Sequence, residues 1–230
     1  IKKAANLVID SLGENDRVAV YTFGDRITEL QKLSPVHADA KNAVKKLDFP
    51  SKDIFQMSET VTQVLKDGFG GCGDRTAIFV ISQGDELREQ PLKHLLDTVA
   101  EKETLIYSIL IGEIQPTPIY KDQDGVLRQV NMIVRRTQED LKDIYGMRLM
   151  ITLSQQSGGR FIIASESNMA AEVKKIYEEL RSLYVIGIYP EKGSDGVINS
   201  LTLQVNRPEV TTVRTKGSIR LKTPDYEVKK

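Results

Sequence analysis

With a single cysteine, Cys72, the 230-residue chain can form no internal disulfide. That usage fits a reducing compartment and does not exclude an exported protein that does without bridges. Net charge is also missing, since 32 Lys and Arg balance 32 Asp and Glu. No basic excess points to nucleic acid or to an anionic membrane as a partner. No apolar run approaches the ~20 residues of a membrane-spanning helix, so membrane insertion is not expected. The signatures of several enzyme classes are absent as well: no G-x-S-x-G elbow, no Walker A loop and no C-x-x-C pair.

The chain is long enough for one large domain, or for a domain with an extension. Helical spacing begins at once with Ile1, Ala4, Ala5, Val8 and Leu12, closed by Gly13. Because it opens inside a helix, the sequence reads as a fragment or processed product with further chain upstream. A strand, Arg17–Phe23, and a partner strand from Ile27 to Leu33 follow. Ser34 and Pro35 supply an N-cap and first-turn signal for a helix that carries Ala40, Val44 and Leu47 inward and stops near Pro50. A further helix runs from Ile54 to Lys66.

Thr76–Ser82 is a run of apolar and β-branched residues, the pattern of a strand buried on both faces. A helix with Leu92, Leu95, Leu96 and Val99 on one face leads to a second such strand, Leu105–Ile111. This alternation predicts a mainly parallel sheet with helices on both faces. Between Glu113 and Gln138 the rhythm breaks: Gln115–Pro118 reads as an extended linker, and Ile119–Val130 as a hairpin turning at Asp124-Gly125. Helix, Gly158-Gly159, strand Arg160–Ala164 and helix Asn168–Leu183 resume the pattern. The tail reads as antiparallel strands at Tyr184–Tyr189 and Leu201–Val205.

Ligands collect at the carboxyl ends of strands in open α/β sheets. That makes Ser82, Gln83, Asp85 and Glu86 the first candidates to meet a partner. Asp85 and Glu86 also suit the first turn of a following helix, where carboxylates are stabilising without any chemistry. Gly68-Phe-Gly-Gly-Cys-Gly73 matches G-x-G-x-x-G, but it leaves a helix and enters a strand, so no helix N-terminus is there to hold a phosphate. His37 and His94 sit at polar helix positions without ligand-spaced neighbours, and Cys72 has no adjacent base. No residue set is able to run catalysis alone.

Several segments together resemble the von Willebrand factor A-type domains, in the bacterial branch that carries a C-terminal strand extension. They are Asp16–Asp25, Arg75–Glu86, Leu153–Phe161, Leu180–Pro190, and Arg207-Pro208 followed by Arg214-Thr-Lys-Gly217. The resemblance implies a doubly wound, Rossmann-like α/β fold with a mainly parallel sheet over residues 1–183, lacking its first strand, and a small antiparallel β extension over 184–230. It also implies a non-enzymatic, adhesion- or scaffold-type protein-interaction module, and export to the periplasm or exterior in many relatives.

The resemblance further implies a divalent cation at the sheet's carboxyl edge, held by an Asp-x-Ser-x-Ser loop, a threonine and an aspartate. Hard oxygen donors of that kind suit Mg²⁺. This sequence departs from the pattern at all three places. The Asp-x-Ser-x-Ser loop is not in it, Phe55 stands where the threonine belongs, and Ser82-Gln83-Gly84 replaces Thr-Asp-Gly. Asp53, Ser58 and Asp85 supply oxygens nearby that partly offset the loss. The expectation is therefore a degenerate site with no cofactor and no metal, and a protein partner on Ser82, Gln83, Asp85, Glu86, Asp53 and Ser58. The alternative is a doubly wound hydrolase or nucleotide binder that uses the same edge.

Overall fold

The structure, a computed structural model, describes residues 1–24, 26–48, 56–69, 75–84, 92–116, 120–121, 127–128, 131–134, 142–184, 186, 198–200, 202–206, 215–216 and 218–220. In chain order its elements begin α1 (Lys2–Asp10), β1 (Val18–Thr22), β2 (Thr28–Ser34), α2 (His37–Lys45), α3 (Met57–Asp67) and β3 (Thr76–Ser82). Next come α4 (Lys93–Glu101), β4 (Thr104–Ile111), β5 (Glu113–Pro116), β6 (Tyr120–Lys121), β7 (Leu127–Arg128) and β8 (Asn131–Val134). The series ends with α5 (Lys142–Ser157), β9 (Phe161–Ala164), α6 (Met169–Arg181), β10 (Ile198–Ser200) and β11 (Ser218–Arg220).

β4 is the middle strand of a parallel sheet ordered β3-β4-β9. It pairs β3 without a break from Thr76–Thr104 to Ser82–Leu110, and β9 from Ser108–Phe161 to Ile111–Ala164. Successive side chains of a strand point to opposite faces, and β4 is apolar on both. Ile106 and Leu110 pack with Val80 against Met57, Val61, Leu65, Leu95, Val99, Leu149 and Leu153 of α3, α4 and α5. Tyr107 and Ile109 pack against Ala4 and Val8 of α1 and Val173 and Ile176 of α6. The two helical layers expected from the alternating pattern are present, and each large apolar side chain buried between them contributes about 1.5–3 kcal/mol.

The antiparallel β1–β2 pair stands apart from this sheet, tied to it through α1 and α2 by Ile9, Ala40 and Val44. Close packing at the lead-in to β9 explains the Gly158-Gly159 pair. Gly158 has a φ of +83°, and a Cβ on Gly159 would lie 2.1 Å from the Ile106 carbonyl oxygen.

Three expectations are corrected. α2 begins at His37 with Val36 at its N-cap, and it ends at Lys45, well short of Pro50. Ser34 does not cap it: pairing with Val18 keeps Ser34 in β2, and its hydroxyl instead accepts the Val36 N–H at 3.0 Å. Gln115 and Pro116 are not linker but strand: β5 pairs β8 from Glu113–Val134 to Pro116–Asn131. Proline ends this short strand, where a missing N–H costs a ladder least. Beyond it Tyr120–Arg128 and Lys121–Leu127 pair as the expected hairpin, whose Asp124-Gly125 turn lies outside the described residues.

Among the described residues of the tail the strands are β10 and β11, paired antiparallel, while residues 202–206 are exposed and outside any strand. Tyr184 is 93 % exposed and Ile186 62 % exposed, and neither lies in a strand. An alternating apolar run specifies a strand only where a neighbouring edge pairs with it. The Lys216 ammonium anchors the tail by donating to the carbonyls of Ala100 at 2.9 Å and Lys102 at 2.5 Å, at the end of α4.

Candidate functional site

Because β3, β4 and β9 are parallel, their carboxyl ends at Ser82, Ile111 and Ala164 share one edge of the sheet. Ser82 is 5 % exposed, and its Oγ accepts the Gly84 N–H at 2.9 Å. Gly84, at φ +84°, lets the chain reverse there. The intervening Gln83 is exposed. Beside β9, the Asn168 Oδ1 accepts the Ser165 N–H at 2.8 Å and so shapes the turn into α6.

α3 runs towards the amino end of β3, so its first turn lies on the carboxyl-edge side. Ser58 is buried in that turn and donates to Glu59 Oε2 at 2.8 Å. Its carbonyl accepts the Thr62 hydroxyl at 2.8 Å. Asp53, Asp85 and Glu86 lie outside the described residues. Among the described residues, no three His, Cys, Asp or Glu side chains gather to hold a metal ion.

Both histidines lie elsewhere. His37 contacts the Asp16 carbonyl through Nε2 at 2.8 Å, and His94 Nε2 is 3.1 Å from Lys66 Nζ. Titration is perturbed at other places too. Burial, reinforced by the bond to Glu29, pushes the Tyr21 phenol up to about 12. Burial likewise raises Tyr177 and lowers Lys216.

The insertion expected between Glu113 and Gln138 contains, among the described residues, an arm whose β5–β8 pairing the sequence did not show. β5 starts two residues after β4 ends and returns as β8, with the β6–β7 pair between them in sequence. Its base follows β4, whose Leu110 pairs with Ser82 across the sheet. No family model and no curated protein matches this sequence.

Solved structures do match it. The conserved hypothetical protein BatB from Bacteroides thetaiotaomicron is similar over 78 % of this chain and 84 % of its own, at 18 % identity and a TM-score of 0.55. An aerotolerance-related membrane protein from Bacteroides fragilis is similar over 79 % and 87 %, at 14 % identity and a TM-score of 0.56. A von Willebrand factor type A protein from Catenulispora acidiphila is similar over 76 % of this chain and 36 % of that one, at 14 % identity and a TM-score of 0.55.

The chain has the von Willebrand factor A-type fold. Likeness at this identity is one of architecture, and chemistry has to be argued from the site itself. In this A-type fold the carboxyl edge presents the exposed Gln83 amide, two engaged serine hydroxyls and the base of the arm. Neither the Ser82 nor the Ser58 hydroxyl is bonded to a histidine. Among the described residues, no helix is long and apolar enough to cross a membrane.

Proposed function

We propose that this A-type domain is a non-enzymatic protein-interaction module whose partner docks on the carboxyl edge. The arm carries this reading: an antiparallel β5–β8 pair that starts two residues after β4 ends, at the carboxyl edge where Ser82 pairs with Leu110. Loops at this edge are the usual carriers of binding residues on a rigid scaffold. In this reading Gln83 meets the partner directly, and Asp53, Ser58, Ser82, Asp85 and Glu86 are the further candidate contacts. Residues 1–183 make up the A-type domain and 184–230 its β extension. The enzyme alternative needs a nucleophile–base pair or a phosphate cradle, and the serine partners described above supply neither.

The metal site is degenerate in this reading. A neutral amide at Gln83 stands where a carboxylate would be needed, and the Ser82 hydroxyl already takes an N–H from Gly84. Mg²⁺ gives up water reluctantly and demands charged oxygens in near-ideal geometry.

The test is affinity purification from the source cells with three baits: the wild-type chain, Gln83→Arg, and a chain with 113–138 replaced by a short glycine linker. A protein retained by wild type and lost from both variants, each with an unchanged melting temperature, supports the reading. Equal retention by all three, or turnover of nucleotides or esters abolished by Gln83→Arg, overturns it.

A further inference from the structure

β5 and β8 form a sheet of two strands, four residues each, and among the described residues neither pairs with a further strand. A two-stranded ribbon is marginal in water by itself, and a third strand or a packed face makes it stable. Among the described residues each strand also keeps one row of N–H and C=O groups outside the ladder. Such a row is the template on which an added strand forms.

The two edges differ. β5 ends in Pro116, and proline within a sheet marks an edge strand that stays an edge. β8 reads Asn131-Met-Ile-Val134, with neither proline nor glycine and with two β-branched residues, a sequence suited to a ladder on both sides. Alternate residues of an antiparallel strand turn their N–H and C=O to the same edge. Two of the four residues of β8 therefore offer both groups away from β5.

Charge selects what can add there. From Val126 to Gln138 the sequence carries Arg128, Arg135 and Arg136 and not one Asp or Glu, in a chain whose formal net charge is zero. β8 lies inside this basic stretch. A strand with acidic ends is attracted to it, whereas a second copy of the same stretch brings like charges together.

We infer that the partner adds a strand to the open edge of β8: an extended apolar segment, matched to the four residues of β8, with Asp or Glu at both ends. The inference rests on the docking role proposed above and gives that partner its conformation and its charge. Main-chain hydrogen bonds supply the affinity, and the flanking carboxylates choose among apolar strands. The arm becomes three-stranded only in the complex.

The test measures binding of fluorescent peptides to the full 230-residue chain by anisotropy. The parent peptide is Asp-Glu-Val-Thr-Ile-Val-Asp-Glu. Two copies carry backbone N-methyl groups on alternate residues, in opposite phases, and a third has lysine in place of every acidic residue. The expected result is that the parent binds and that one methylation phase alone weakens it by about tenfold or more. Lysine ends and added salt should weaken it too, and exchange of the Asn131–Val134 amides should slow on binding. No binding at about 1 mM, methylation phases that behave alike, or undiminished binding to a chain with 113–138 replaced by a glycine linker overturns the inference. So does a wild-type chain dimerised through β8, because a second copy then holds the edge. A cellular partner retained through Gln83 and the arm that the parent peptide cannot displace would overturn strand addition alone and leave the docking role standing.

Discussion

Replacing Ser157 with alanine removes one hydroxyl that substitutes for a strand. Ser157 is 2 % exposed, and its Oγ accepts the Ile106 N–H at 2.9 Å and donates to the Ser154 carbonyl at 3.1 Å. On this side of β4 the Ser108 N–H bonds to the Arg160 carbonyl at 2.9 Å, and β9 begins opposite Ser108. Two residues earlier, Ile106 faces the end of α5 with no strand to accept its proton, so Ser157 provides the acceptor. Ser157→Ala leaves a buried donor unpaired, which costs about 1–3 kcal/mol. In a chain of this size about 2 kcal/mol lowers the melting temperature by about 4–8 °C. Thermal melts followed by circular dichroism measure that shift, and amide exchange at Ile106 localises it. Ser167→Ala, on an exposed turn, should stay within about 0.5 kcal/mol of wild type. A Ser157→Ala protein that melts within about 1 °C of wild type, with Ile106 exchange unchanged, would refute the assignment.

Gly159→Ala should destabilise by about 3 kcal/mol or more, since backbone at Ile106 cannot yield as a side chain would; wild-type stability in urea melts would contradict it. Burial holds the Lys216 pKa below its ordinary 10.5, so the folded chain binds fewer protons than the unfolded one as pH climbs towards 10.5. Stability contributed by this group must then rise with pH in that window, and Lys216→Met should abolish the rise; parallel urea melts up to pH 10.5 compare the two slopes. Titration calorimetry with millimolar Mg²⁺ or Mn²⁺ should give no saturable heat, whereas a saturable signal abolished by Asp85→Ala would restore the metal site.

Long apolar strands were the most legible part of the fold. Thr76–Ser82 and Thr104–Ile111 are rich in β-branched, aromatic and other apolar residues, a pattern typical of buried parallel strands, and both fall within a residue of their expected bounds. α6 was equally clear from its helical stripe of Met169, Val173 and Ile176. The arm was harder because β5 holds only four residues and includes Pro116, so its strand character comes from pairing with β8 rather than from propensity. β10 and β11, of three residues each, carry no periodicity at all. Within the candidate site, the position of Ser82 at a strand end was legible, but not the use of its hydroxyl by Gly84. The buried bond from Ser154 to Ser108 at 2.9 Å joins residues 46 apart, and no local pattern signals it.

The Lys216 anchor has a consequence for the order in which this domain can be made. Its two bonds join residues 116 and 114 positions apart, and Gly158 fits beneath the same tail segment. Synthesis runs from the amino end at about 5–20 residues per second, so β9 precedes Lys216, about fifty residues behind it, by some seconds. During that interval the sheet can assemble while the carboxyl end of α4 stays bare to the ribosome's surroundings. The anchor thus marks completion: a polypeptide cut short before Lys216 would carry a permanently uncovered α4 terminus, a feature by which quality control could tell it from the finished product.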